Sequence, residues 1–191
     1  LAKHYQLPHL ISVDVGGTTT DIGEVRDTQV REERRGKVEG VEVSFPLCNL
    51  VSVGVGGSSI IRADESGQIQ VGPESVGSAP GPACFGLGGT QATITDAFLR
   101  TGLLDPTTFF GGELKIDAER AGRAIDEHIA GQLGVNTLEA AQQMEQAWVA
   151  KVAAGIERFT QISPDTCLAA FGGAGPFVAM RTSVWCMRAP R

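Results

Sequence analysis

The sequence is poor in the residues that build metal clusters and covalent frameworks. Its 191 residues include four cysteines, three histidines and one tyrosine. Cys48, Cys84, Cys167 and Cys186 are widely spaced and form no C-x-x-C pair, which argues against a zinc site. Reduced thiols in a cytoplasmic protein are the expectation. Strong positive charge is also missing. The formal net charge is −6, and the one basic run, REERR at Arg31 to Arg35, mixes signs. That excludes a nucleic-acid partner and reads as a solvated strand end. No apolar run approaches the roughly 20 residues of a membrane span, so no membrane partner is expected. No secretory leader is visible, and because the chain opens on Leu1, a preceding segment is expected.

What the chain does have is glycine, 25 residues of it, in clusters. The most informative cluster lies in Asp14 to Gly23, DVGGTTTDIG. Leu10, Ile11 and Val13 precede it, and Ile22 and Val25 follow with alternation, so the stretch reads as strand, tight turn, returning strand. Glycine lets backbone approach a ligand closely, and successive N–H groups in such a turn make a concave anion site. Gly16 and Gly17 supply the turn, and Thr18, Thr19 and Thr20 add hydroxyls. Asp14, at the strand end, is placed to hold a cation, and oxygen ligands with phosphate suit Mg²⁺. Asp21 closes the stretch, either as a second site carboxylate or as a bond to the turn backbone.

Further along, Val41 to Phe45 and Leu50 to Val55 read as strands, the second running into GVGGSSI. There Gly56, Gly57 and Ser58 form either a second anion-facing turn or a β-bulge. Asp64 to Gly67 is a turn, and Ile69 to Val71 returns as a strand. Gly72 to Gly89 then makes a Gly- and Pro-rich loop of 18 residues, a length that points to function, and its Val76, Phe85 and Leu87 point to order. Helices follow. Thr95 is read as the N-cap of one ending at Gly102, and Asp96 at its start as a cap. Asp117 opens a second, with Ala121, Ala124, Ile125 and Ile129 on one face and His128 toward solvent. Thr137 opens a long third, whose stripe of Leu138, Met144, Ala147, Trp148, Val152 and Ile156 reads as core. Cys167 to Phe171 is a strand that runs into FGGAGP, where Gly172, Gly173, Ala174 and Gly175 lead into a last helix. Cys84 lacks a suitably spaced histidine and is not read as a nucleophile. Residues 181–191 show no period and read as an irregular tail.

Two glycine-rich turns far apart suit a nucleotide, with phosphates at one and purine and ribose at the other. DVGGTTTDIG resembles the second phosphate loop of the actin, Hsp70 and sugar-kinase ATPase superfamily, and FGGAGP resembles its adenosine motif. GVGGSSI, VGPESVGSAPGPACFGLGG and TITDA narrow the likeness to the hydantoinase/oxoprolinase family, A-type subunit, over about Ile11 to Ala179. The resemblance implies an α/β fold, a ribonuclease H-like ATPase lobe with a mixed sheet and flanking helices over residues 1–180. It implies ATP and Mg²⁺ as cofactors, with Asp14 facing the metal. The implied activity is opening of a hydantoin or 5-oxoproline ring after phosphorylation of the amide oxygen.

Only one DxGGTxTD loop is present, and its TTTD ending is similar to the second-lobe version. The resemblance therefore implies as partners an N-terminal lobe of the same protein, a B-type subunit and a small cyclic-amide substrate. The chain alone is expected to be inactive. Alternatives are a non-catalytic partner-binding module, a lobe of a sugar or acid kinase, and a ketone carboxylase subunit.

Overall fold

The computed structural model describes residues 1–38 and 40–179. A short helix, α1 (Ala2–Tyr5), leads into the central hairpin of β1 (His9–Val15) and β2 (Thr20–Arg26). Their register pairs Val15 with Thr20, Asp14 with Asp21 and Val13 with Ile22. Alternation sorts the side chains. Ile11, Val13, Val15 and Ile22 point to the buried face, whereas Ser12, Asp14 and Asp21 take the other.

The small strands come next in the chain. β3 (Gln29–Val30) pairs with β2. β4 (Glu32–Glu33), β5 (Lys37–Val38), β6 (Val41–Glu42) and β7 (Leu47–Cys48) make two two-stranded ribbons, β4 with β7 and β5 with β6. The strand read at Val41 to Phe45 is thus only two residues long. Val41 and Phe45 are exposed and have no sheet face to cover. β8 (Leu50–Val53) returns to β2, end to end with β3. β9 (Ser59–Ala63) and β10 (Ile69–Ser75) form a separate hairpin.

The last strand is β11 (Thr166–Phe171), parallel to β1. The main sheet is therefore mixed, with β11, β1, β2 and β3 in order and β8 also on β2. This is the expected α/β architecture, a mixed sheet flanked by helices.

Three helices cover the buried side. α2 (Ile94–Arg100) begins in a capping box, with Thr93 and Asp96 bonding reciprocally. The N-cap is thus Thr93 rather than Thr95, because the hydroxyl of Thr95 is taken by the carbonyl of Gly57, at 2.6 Å. α3 (Ala118–Ile125) is capped by Asp117, as read, and continues through a π turn at Asp126–Ala130 into α4 (Gly131–Leu133). His128 is not free in solvent. Its Nε2 lies 3.1 Å from the carbonyl of Thr90, so that nitrogen carries the proton and donates.

α5 (Thr137–Phe159) starts in a second capping box, from Asn136 and Glu139. Met144, Trp148, Val152 and Ile156 are buried along it with Ala140 and Ala141 of its start, but Leu138 is exposed. Gly155 lets α5 come down on the sheet. A Cβ there would stand 2.7 Å from Cγ2 of Val53 and 3.2 Å from Cδ1 of Ile22. Lys151 ties the same helix to β10 through the carbonyl of Val71. Residues 181–191, read as a tail, lie outside the described residues.

Candidate functional site

The parallel pair β1 and β11 decides where the glycine motifs meet. Asp14 pairs with Phe171, so the turn after β1 and the turn after β11 leave the sheet at the same edge, the carboxyl ends of both strands. Ligands of α/β sheets gather at such ends. Three turns converge there. Gly16 N–H closes the first turn on the carbonyl of Thr19, at 2.9 Å. The turn at Gly56 to Ser58 clasps it from one side. Gly57 N–H donates to the carbonyl of Gly16 at 2.9 Å, and Ser58 donates twice to the carbonyl of Gly17, from N–H at 2.6 Å and from Oγ at 2.7 Å. The FGGAGP turn closes from the other side, with Ala174 N–H donating to the carbonyl of Val15 at 3.1 Å.

These bonds divide the residues singled out in the sequence into two groups. The N–H groups of Gly56, Gly57 and Ser58 are spent inside the protein, on Ser59 Oγ, Gly16 and Gly17. That turn buttresses the first one, and its three N–H groups are already bonded. Gly56 is further fixed by Trp148, whose Nε1–H donates to its carbonyl at 3.3 Å. Thr20 is fully buried, and its hydroxyl donates to the carbonyl of Val55 at 2.6 Å, so it supports the turn from below. Gly175 N–H is likewise used, by the carbonyl of Gly172. By contrast the N–H groups of Gly17, Thr18 and Thr19 have no hydrogen-bond partner among the described residues, and these three residues are exposed. That is the composition of an anion-binding concavity.

The carboxylates lie beside it. Asp14 is half-buried and Asp21 exposed, directly opposite each other on one sheet face. Like charges in that position repel. Neither makes an ion pair among the described residues. A hard divalent cation bound through oxygen would relieve the repulsion, so the donor set fits Mg²⁺. Gly172 packs on Asp14. With φ at +82°, a Cβ would strike Asp14 Oδ1 and the carbonyl of Val15, so only glycine brings the third turn this close.

From the turns a cleft of about 480 Å³ opens toward α2, lined at one end by Gly16, Gly17, Thr18 and Ser58 and at the other by phenylalanines. Part of the loop read at Gly72 to Gly89 forms its wall. Gly72 to Ser75 belong to β10, and a 3₁₀ turn at Ala83–Phe85 is anchored by Asp96. Asp96 Oδ1 accepts from Cys84 N–H at 2.8 Å, and Oδ2 accepts from Thr93 N–H and Oγ1–H at 2.9 and 2.7 Å. A buried carboxylate thus holds the loop at Cys84. Burial, and then the neighbouring Asp96 carboxylate, push the Cys84 thiol far up, so it is not a nucleophile.

Sequence reasoning missed two features. The aromatic side of the cleft was one, for which Phe109-Phe110 beside Gly111-Gly112 was the available signal. The other is a charge cluster at the far end of the sheet. Glu24 sits at an inward position of β2 with Arg26 at 2.7 Å, Arg31 at 3.0 Å, His9 at 3.0 Å and Thr160 at 2.5 Å. Burial disfavours its charge, but the bonds from Thr160, Arg31 and Arg26 outweigh that and hold its pKa at about 2. Arg31 also covers the Phe159 ring, so REERR is not merely solvated. The polar parity of that position in β2, after Thr20 and Ile22, was the readable clue.

Comparison with known proteins completes the picture. The model of the family described as Hydantoinase/oxoprolinase matches residues 1–184. The chain is similar to the acetophenone carboxylase gamma subunit of Aromatoleum aromaticum, 39% identical over 88% of this chain and 24% of that one. It is also similar to the caprolactamase subunit alpha of Pseudomonas jessenii, 32% identical over 95% of this chain and 27% of that one. The crystal structure of ATP-dependent caprolactamase from the same organism superposes with a TM-score of 0.82 at 31% identity, covering 97% of this chain and 27% of that one. The chain thus spans about a quarter of the length of these relatives.

Proposed function

This chain belongs to the hydantoinase/oxoprolinase family, and on that premise we propose that it is the phosphate-binding lobe of an ATP-dependent enzyme acting on the carbonyl of a small cyclic amide or related compound. The observation that carries this reading is the convergence of three glycine-rich turns at the carboxyl end of β1, which leaves the N–H groups of Gly17, Thr18 and Thr19 unbonded beside Asp14 and Asp21. In this reading those N–H groups and the Thr18 and Thr19 hydroxyls bind the phosphates. Asp14, with Asp21 across the strand pair, holds Mg²⁺. Gly173 and Ala174 border the nucleoside.

When bound, ATP with Mg²⁺ supplies the phosphoryl group that turns the carbonyl oxygen into a leaving group and the charge that steadies the transfer. The chain's own part is positioning. The buttress of Gly56 to Ser58 and the anchor at Trp148 fix the N–H array before any ligand arrives, so little reorganisation is left for the reaction.

The rest of the protein, another lobe and a partner subunit, would complete the cleft. Alone, this chain leaves phosphates half in water, where each bond contributes little. We therefore expect weak or no ATP affinity for the isolated chain. In the intact protein Asp14→Ala should lower ATP turnover by a factor of about 10² or more, the scale of a lost transition-state charge contact. Turnover equal to that of the unaltered protein would refute the assignment.

A further inference from the structure

A second cavity, of about 590 Å³, lies apart from the glycine turns. Glu24 and Arg26 of β2 line it, and in the hairpin they stand opposite Ile11 and His9. It therefore sits by the amino end of β1, whereas the phosphate turn follows the carboxyl end. From His9 to Asp14 the strand rises by roughly 16 Å. The other walls come from Val30 and Arg31 after β2 and from Phe159 and Gln161 at the end of α5. The volume falls within the range of small-molecule sites.

The two guanidiniums of this cavity are held in place before any ligand arrives. Arg26 donates from Nε to Glu24 at 2.7 Å, and from Nη2 to Thr160 Oγ1 and the carbonyl of Gln161 at 3.2 and 3.3 Å. Arg31 donates from Nη1 to Glu24 at 3.0 Å and to the carbonyl of Phe159 at 2.9 Å, and its Cζ lies 4.7 Å from the centre of the Phe159 ring. The Glu24 side chain is 4% exposed, those of Arg26 and Arg31 51% and 43%. A buried carboxylate thus fixes two cations that still reach water.

What the arginines leave over is specific. Nη1 of Arg26, and Nε and Nη2 of Arg31, have no partner among the described residues. The Nε–Nη2 edge of Arg31 is a two-pronged donor that matches a planar carboxylate. The carbonyls of Phe159 and Gln161, which would repel an anion, are already covered by guanidinium. Among the groups lining the cavity, two guanidiniums face one carboxylate, an excess of one positive charge in a chain whose formal net charge is −6. Asp27 and Glu32, next in sequence to the arginines, are exposed and line no part of the cavity.

We propose that this cavity is a second ligand site, for a short-chain monocarboxylate whose head is gripped by Arg31 and Arg26. One negative charge cancels the excess. A dianion would leave a surplus of the opposite sign beside Glu24. Val30, 49% exposed, gives the ligand's alkyl chain an apolar contact. The inference does not depend on the phosphate-site reading, since the two sites share no residue.

The test uses the intact protein. Dissociation constants for butyrate, neutral butyramide, succinate and inorganic phosphate are measured by calorimetric titration at constant ionic strength, with and without MgATP. We expect butyrate to bind, butyramide to bind at least about tenfold more weakly, and MgATP to leave the butyrate constant within about twofold. Arg31→Lys keeps a charge beside Glu24 and removes the fork, and should weaken butyrate about tenfold. Gln161→Glu puts a carboxylate on the cavity wall without touching the bonds of Glu24. It should weaken butyrate by a similar factor and unfold at the parent's denaturant midpoint.

Butyrate that does not bind, or binds no more tightly than butyramide, overturns the proposal, as does tighter binding of succinate or phosphate. Undiminished binding in either variant would place the ligand elsewhere and overturn it too. Displacement of butyrate by MgATP would put the anion at the phosphate turn, with the same consequence. Butyrate binding in a protein that binds no ATP would refute the phosphate-site reading and leave this site standing.

Discussion

Gly56 offers a direct way to perturb the site through its support. Its φ is not in the left-handed region, so alanine meets no backbone strain there, only space. That space is absent. A Cβ would stand 2.5 Å from the carbonyl carbon of Gly17, 2.5 Å from its oxygen and 2.7 Å from the oxygen of Gly16. All three atoms are backbone of the phosphate turn. Reaching ordinary contact near 3.4 Å requires one turn to retreat by about 0.9 Å. The bonds from Gly57 to Gly16 and from Ser58 to Gly17 span that gap, and both would be stretched or lost.

Two weakened hydrogen bonds cost about 1 kcal/mol each, and overpacking adds about 1–2 kcal/mol. Gly56→Ala should thus destabilise the chain by about 3–4 kcal/mol and lower Tm by roughly 6–16 °C. ATP affinity of the intact protein should fall with it, since the N–H array moves. Gly173→Ala is the matched control. It borders the same cleft, but a Cβ there meets nothing within 4 Å. Its effect on stability should stay within about 0.5 kcal/mol. Chemical denaturation of both variants, with calorimetric titration of MgATP into the intact protein, provides the readout. A Gly56→Ala protein as stable as its parent, or a Gly173→Ala protein as unstable as Gly56→Ala, would refute the packing argument.

Acid should act through Glu24. Its pKa is lowered from 4.5 to about 2 on folding, so its contribution is complete above about pH 4.5 and is lost as pH falls toward 2. Allowing for guanidinium partners that are half exposed, that contribution is about 2–3 kcal/mol. Glu24→Gln should show a smaller loss of stability between pH 5 and pH 2.5 than the parent, and parallel curves would contradict this. Asp96→Ala removes the acceptor of three bonds, and with it the anchor of the loop around Cys84. A loss of about 3 kcal/mol is expected, with rapid proteolytic cutting between Gly77 and Gly89, where the parent should resist; equal resistance would count against the anchor.

Much of this protein was legible in the chain itself. Alternation at Ile11, Val13 and Ile22 dictates the hairpin, because a period of two lets a strand bury one face only. The repeat of Met144, Trp148, Val152 and Ile156 dictates α5 for the corresponding reason at the helical period. Gly-Gly-Thr between two strands marks a tight turn, a local property of the backbone that needs no distant partner to form.

Tertiary structure decided which of the candidate groups are available. Thr18 and Thr20 differ by two positions and share a hydroxyl, yet one faces the cleft and the other is buried against the carbonyl of Val55. Gly56 to Ser58 look like an anion-binding turn until Gly16 and Gly17 are found to accept their hydrogen bonds. Thr95 resembles a cap until Gly57 takes its hydroxyl. Hydrogen-bond capacity is written in the sequence, but whether it is already satisfied depends on contacts between residues tens of positions apart, and those are fixed only when the three turns meet at the end of β1.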